Sequence, residues 1–99
     1  MFDEPQRLRD SRDLYRLLDH YARLAAGDPE AWHDRLMELQ GVQSKDLVRL
    51  HGELLAHDWI EQNTGILPVL KIGTVPGCYR VTAAGHRALR QLEEERAAA

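Results

Sequence analysis

The side chains in this 99-residue chain that could do covalent or metal chemistry are five histidines, two serines and one cysteine. His20, His33, His51, His57 and His86 show no i, i+4 interval and no His-Glu-x-x-His pattern, so they outline no helical zinc site. Cys78 alone excludes an internal disulfide framework and a Cys-rich zinc site. Beside Tyr79 it reads as a small buried hydrophobe; as a redox-sensing thiol it could only pair across a dimer. Ser11 and Ser44 sit in no Gly-x-Ser-x-Gly elbow. The chain also lacks a Gly-rich phosphate loop and paired carboxylates in an apolar setting. The expectation is a protein that is not an enzyme and has neither cofactor nor metal.

The remaining chemistry is charge. The net charge is −3, yet its sign alternates along the chain. Residues 1–61 carry 8 basic and 13 acidic side chains; residues 62–92 carry Lys71, Arg80, Arg87 and Arg90 and no acid; residues 93–99 return to net −2. Such a change implies one face of locally positive potential. Arginine outnumbers lysine 11 to 2, which suits phosphate recognition, although abundant alanine and leucine point to a compositional bias.

Several classes are excluded. No apolar run approaches the roughly 18–20 residues needed to cross a bilayer. The first residues show neither a basic n-region nor an apolar h-region of a secretory signal. With 43% apolar and 29% charged residues, the expectation is a single cytoplasmic domain over 1–99, its core at about 12–92. A domain this small is marginal alone, which makes dimerisation reasonable.

The elements that must position these groups follow from periodicity and punctuation. Leu8, Leu14, Leu17, Leu18, Tyr21, Leu24 and Ala25 recur at helical spacing, with Asp10 or Ser11 able to restart the helix and Gly27 ending it. Asp28-Pro29-Glu30 is a start signal for a second helix, with Trp32, Leu36 and Leu39 on one face and Gly41 as its left-handed stop. Ser44 can cap a third helix over 44–57, with Leu47, Leu50 and Leu54 on its inner face; Asp58 then takes the terminating left-handed position and Trp59-Ile60 begins extended structure. Turn residues and β-branched runs predict strands at 66–72 and 78–81 with a bend at 73–77. Thr82 can cap a last helix with Ala88, Leu89 and Leu92 inside. Three consecutive glutamates at its C-terminal end oppose the helix dipole, so 93–99 is expected to fray.

Two short helices around a glycine-containing turn, followed by a hairpin, are the order of a winged helix-turn-helix. The stretch Leu54-Leu55-Ala56-His57-Asp58-Trp59-Ile60 is similar to the end of the recognition helix in winged helix-turn-helix proteins of the PadR/MarR kind, with Asp58 where they carry glycine. Tyr79-Arg80-Val81-Thr82-Ala83-Ala84-Gly85, with Leu89, resembles their Tyr-x-Leu-Thr-x-x-Gly-x-x-x-Leu stretch between wing and last helix. The resemblance covers about residues 30–92. It implies a mostly helical α+β fold: three helices, a β-hairpin wing and a C-terminal helix. It further implies a sequence-specific binder of double-stranded DNA, a small transcriptional regulator acting as a homodimer through its N- and C-terminal helices.

On that footing Gln43, Ser44 and Lys45 would lie at the major-groove end of the third helix and Arg49 one turn on. Lys71 and Arg80 would meet phosphates from the wing. Lys45, Val48, Arg49, Gly52 and Glu53 would face outward. Asp46, Glu53 and the apolar run at 66–72, with only Lys71 for charge, depart from a DNA-binding pattern. They leave open a second expectation: a winged-helix module that binds a protein through an apolar wing.

Overall fold

The computed structural model describes residues 6–63 and 79–98. It is a mostly helical α+β arrangement of four helices and one two-stranded antiparallel hairpin. The helices are α1 (Gln6–Asp10), α2 (Arg12–Gly27), α3 (Ser44–Ala56) and α4 (Ala83–Ala98); the strands are β1 (Ile60–Gln62) and β2 (Tyr79–Val81). The restart expected near Ser11 is present. Ser11 is extended and its hydroxyl accepts the Leu14 amide at 3.2 Å, satisfying one free donor of the first turn. From there Leu14, Leu17, Leu18, Tyr21 and Ala25 are buried, one stripe of a 3.6-residue period. Leu24, placed on that stripe by spacing, is 39% exposed.

α3 is built by the same logic and ended by a specific one. Leu47, Leu50, His51 and Leu54 face inward. Asp58 takes a φ of 58°; its amide bonds Leu55 O at 3.0 Å and the Trp59 amide bonds Leu54 O at 3.1 Å. Those two bonds form the Schellman closure usually made with glycine. At the other end of α3 the N-cap is Gln43, without a side-chain bond, rather than Ser44, which is already helical.

The stretch expected to form a second helix does not form one. Residues 28–43 run as turns and isolated bridges, because other partners take the backbone groups a helix would pair internally. His33 exchanges both backbone bonds with Tyr79, at 2.8 and 3.0 Å. The Leu36 amide is held by the Tyr21 hydroxyl at 2.9 Å. Arginines hold two of the carbonyls: Arg80 bonds Glu30 O at 3.0 Å and Arg16 bonds Gln40 O at 2.9 Å. The Asp28 start signal yields a single turn, with its carboxylate accepting the Glu30 amide. Gly41 is left-handed as expected, at φ 81°. It sits in a tight turn closed by the Val42 amide on Leu39 O, the position a type II turn reserves for glycine, rather than at a helix end.

β1 pairs β2 with Ile60 opposite Val81, Glu61 opposite Arg80 and Gln62 opposite Tyr79. The partner of Tyr79–Val81 is thus the stretch directly after Trp59. The strand expected at 66–72, the bend at 73–77 and Cys78 lie outside the described residues. Thr82 caps α4 as anticipated: its hydroxyl accepts the Gly85 amide at 3.0 Å and donates to Asp58 O. α4 continues to Ala98, against the expected fraying at 93–99. Arg9 of α1 bonds Glu95 at 2.8 and 2.9 Å, and the Arg96 guanidinium covers the Tyr15 ring at 4.7 Å. The Arg9 hydrogen bond holds the Glu95 carboxyl below its ordinary value, so an acid the dipole disfavours gains a cation from another helix.

One hydrophobic cluster joins all of these elements, from Leu8 through Trp59 and Val81 to Leu92. Gly85 of α4 lies directly against the backbone of Trp59, just before β1. A Cβ there would stand 2.1 Å from Trp59 O and 2.8 Å from Val81 Cγ1. Gly85→Ala should therefore destabilise by about 1–3 kcal/mol or more, since backbone must move. Thermal unfolding should show it as a Tm lower by roughly 4–8 °C per kcal/mol. An unchanged Tm would mean that the Trp59 carbonyl shifts freely.

Candidate nucleic-acid interface

α3 carries the candidate surface. Leu47, Leu50 and Leu54 are buried in the core, whereas Gln43, Ser44, Lys45, Val48, Arg49 and Gly52 are all exposed. Four of the expected contact residues, Gln43 at the N-cap and Ser44, Lys45 and Arg49 in the N-terminal half of α3, thus face solvent. The Arg49 side chain is 62% exposed and, among the described residues, pairs with Asp46 at 4.0 Å. At Gly52 an added Cβ would meet nothing within 4 Å, so no close approach within the described protein requires this glycine.

Two acids bear on this face. Asp46 remains partly exposed. Glu53 does not act as an outward charge. Arg7 of α1 clamps it through both carboxylate oxygens at 2.7 and 3.1 Å, and His57 approaches it to 3.7 Å. The Arg7 hydrogen bond draws the Glu53 carboxyl below its ordinary value and raises Arg7. Forty-six residues separate the pair. No local spacing rule could find it; the only signal was an arginine on the exposed side of the first helix.

Arg80, expected to meet a phosphate from the wing, stands on the strand face opposite the buried Tyr79 and Val81. There it bonds Glu61, its cross-strand neighbour, at 2.6–2.7 Å, and lies 4.2 Å from the centre of the Trp32 ring while holding Glu30 O. With Nε and Nη2 on one Glu61 oxygen and Nη1 on Glu30 O, this stacked arginine uses its donors within the protein. Lys71 lies outside the described residues. Arg87 and Arg90 lie exposed on α4. The tryptophans differ in role: Trp59 is fully buried with His57 stacked 4.3 Å away, and Trp32 is half-buried under Arg80.

Among the described residues, no group of three or more His, Cys, Asp or Glu could hold a metal ion. Nor is any helix among them long and apolar enough to cross a membrane. No protein-family model, curated protein or solved structure matches this chain.

Arg80→Ala should lower stability, by freeing segment 28–43 from β2 and exposing Trp32, and leave any affinity for DNA unchanged. Thermal unfolding beside DNA titration checks this. A DNA-specific loss with an unshifted Tm would return Arg80 to the interface. Gly52→Ala should raise stability by about 0.5–1 kcal/mol through helix propensity alone, read as a higher Tm. A lower Tm would mean that a hidden contact occupies the space.

Proposed function

We propose that this chain is a winged-helix DNA-binding module, a small dimeric transcriptional regulator whose α3 enters the major groove. The observation that carries this reading is the two-sidedness of α3. Its leucine edge is closed by the core, and its other edge presents Ser44, Lys45, Val48 and Arg49 with no described element over them. A hydroxyl, an ammonium and a guanidinium within about one helical turn are the groups that meet base edges and phosphates. The Arg7–Glu53 clamp supports the reading further, because it pairs off one of the two acids on α3, leaving Asp46 beside that edge. The hairpin after α3 and the Thr82-capped α4 agree with a winged helix. A helix before α3 is not needed for this presentation; the irregular segment 28–43 stands in its place. α1, α2 and α4 would supply the dimer contact, placing two α3 copies on half-sites about 34 Å apart.

Binding of genomic DNA fragments at graded salt tests the reading. The expected result is retention at low salt that weakens steeply as salt rises, and a loss of roughly tenfold or more for Arg49→Ala at unchanged Tm. No retention of any fragment by the natural sequence at low salt would overturn it.

One observation favours a second reading, a protein-binding module. Met37 and Val48 are 63% and 58% exposed and border one shallow hollow with Leu36 and Leu47, an apolar patch beside the α3 N-terminus. A stoichiometric protein partner lost on Val48→Asp, in a protein that ignores DNA, would establish that alternative.

A further inference from the structure

Three of the five histidines, His20, His33 and His51, converge in space. His51 of α3 is 2% exposed and sits among rings: Tyr21 edge-on at 5.8 Å and Tyr79 at 5.1 Å, with Tyr21 and Tyr79 themselves 5.7 Å apart. His20 packs edge-on against Tyr21 at 5.1 Å. His33 is bridged through its backbone to Tyr79, and its Nε2 is buried without a hydrogen-bond partner among the described residues. His20 and His33 also line one hollow of about 490 Å³ with Trp32, Asp34, Arg35 and Met37.

The hydrogen bonds at His51 select the tautomer of its neutral ring. Nδ1 lies 2.9 Å from Leu47 O, an acceptor, so Nδ1 carries the hydrogen. Nε2 is then a lone pair, 2.8 Å from the Tyr21 hydroxyl, which donates to it. The same hydroxyl oxygen accepts the Leu36 amide at 2.9 Å. The result is a directed relay, Leu36 N–H to Tyr21 O–H to His51 Nε2, that pins segment 28–43 onto α2 and α3. A proton on Nε2 turns that atom into a donor and reverses the bond: the phenol oxygen must then accept from both Nε2 and the Leu36 amide, while the phenol hydrogen is turned out among the rings without its acceptor, which weakens the hold on Leu36.

We propose that this histidine cluster is an acid switch: protonation of His51 with His20 breaks the Tyr21 relay and releases segment 28–43 from α2 and β2, freeing the chain that leads directly into α3. The surroundings oppose the added charge. Burial is the chief cause holding both His51 and His20 below the ordinary imidazole value; Arg35 from the segment and His20 from α2 add repulsion at His51, and His33 adds it at His20. From α2, Asp19 favours a charged His20, but Arg23 already engages it at 2.8 Å. Asp34 borders the hollow; β2 contributes Tyr79. The sign follows. Above about pH 6.5 the rings are neutral in folded and released states alike, and the segment is held. Below that the released state takes up protons that the folded state resists, so the hold weakens as pH falls towards the lowered folded values. The switch does not depend on whether α3 meets DNA.

Amide exchange on the full chain, expressed as protection factors from about pH 7 to pH 5, tests it. Leu36 and His33 should lose protection by up to roughly tenfold per pH unit per proton taken up, while Ala88 in α4 keeps its protection. In His51→Gln, whose uncharged amide supplies one acceptor and one donor, the acid-dependent loss at Leu36 should shrink by about tenfold per pH unit. Should that variant not fold, NMR titration of the natural protein decides: the His51 and His20 ring protons should titrate below about pH 6.5 together with the Leu36 amide. Leu36 protection and shift that ignore pH, or a loss shared equally by Ala88, would overturn the proposal.

Discussion

The Tyr21 hydroxyl stands between the Leu36 amide and His51 Nε2, and the arrangement of the molecule follows from that position. α2 brings the phenol, α3 brings the imidazole, and the segment between the two helices brings the amide. All three groups are polar and sit at or beside the core, where a donor or acceptor left without a partner costs about 1–3 kcal/mol. Each therefore requires the other two. The relay sets how α2 and α3 meet and requires the intervening chain to lie flat across them, not to coil into a helix of its own. Tyr79 completes the constraint, since its ring closes the aromatic cluster while its backbone captures His33.

Charge is distributed by the same economy of partners. Ion pairs that reach between elements, Arg7–Glu53, Arg9–Glu95 and Arg80–Glu61, draw arginines out of the pool that a sequence count would assign to a nucleic acid. They also draw acids out of the pool that would repel one. What is left on the open edge of α3 is Lys45 and Arg49 with Asp46 partly exposed beside them. The overall charge of −3 therefore says little about the potential at that edge, which depends on which acids have been paired from behind.

Legibility in the sequence tracked the range of the forces involved. The inner stripes of α2 and α3, the restart at Ser11, the left-handed Asp58 and the Thr82 cap were readable, because each depends on residues within one or two turns of chain. The same is true of the candidate edge: once Leu47, Leu50 and Leu54 are assigned inward, Lys45 and Arg49 must face outward. Asp28-Pro29-Glu30 with Gly41 misled for the complementary reason. Those signals describe what a helix would use at its ends, and they carry no information about a tyrosine, a strand edge and two arginines that claim the same backbone groups from 15 to 50 residues away.

By itself, then, the chain determined the inner faces of α2 and α3, the Ser11 and Thr82 caps and the outward side of α3, since local sterics and hydrophobic period act between neighbours. Tertiary structure alone decided that 28–43 stays irregular, that Arg80 is engaged by Trp32 and Glu61, that Glu53 is paired with Arg7, and that His20, His33 and His51 gather around Tyr21 and Tyr79. Those outcomes come from contacts between residues far apart in sequence, and such a contact exists only after the elements have packed.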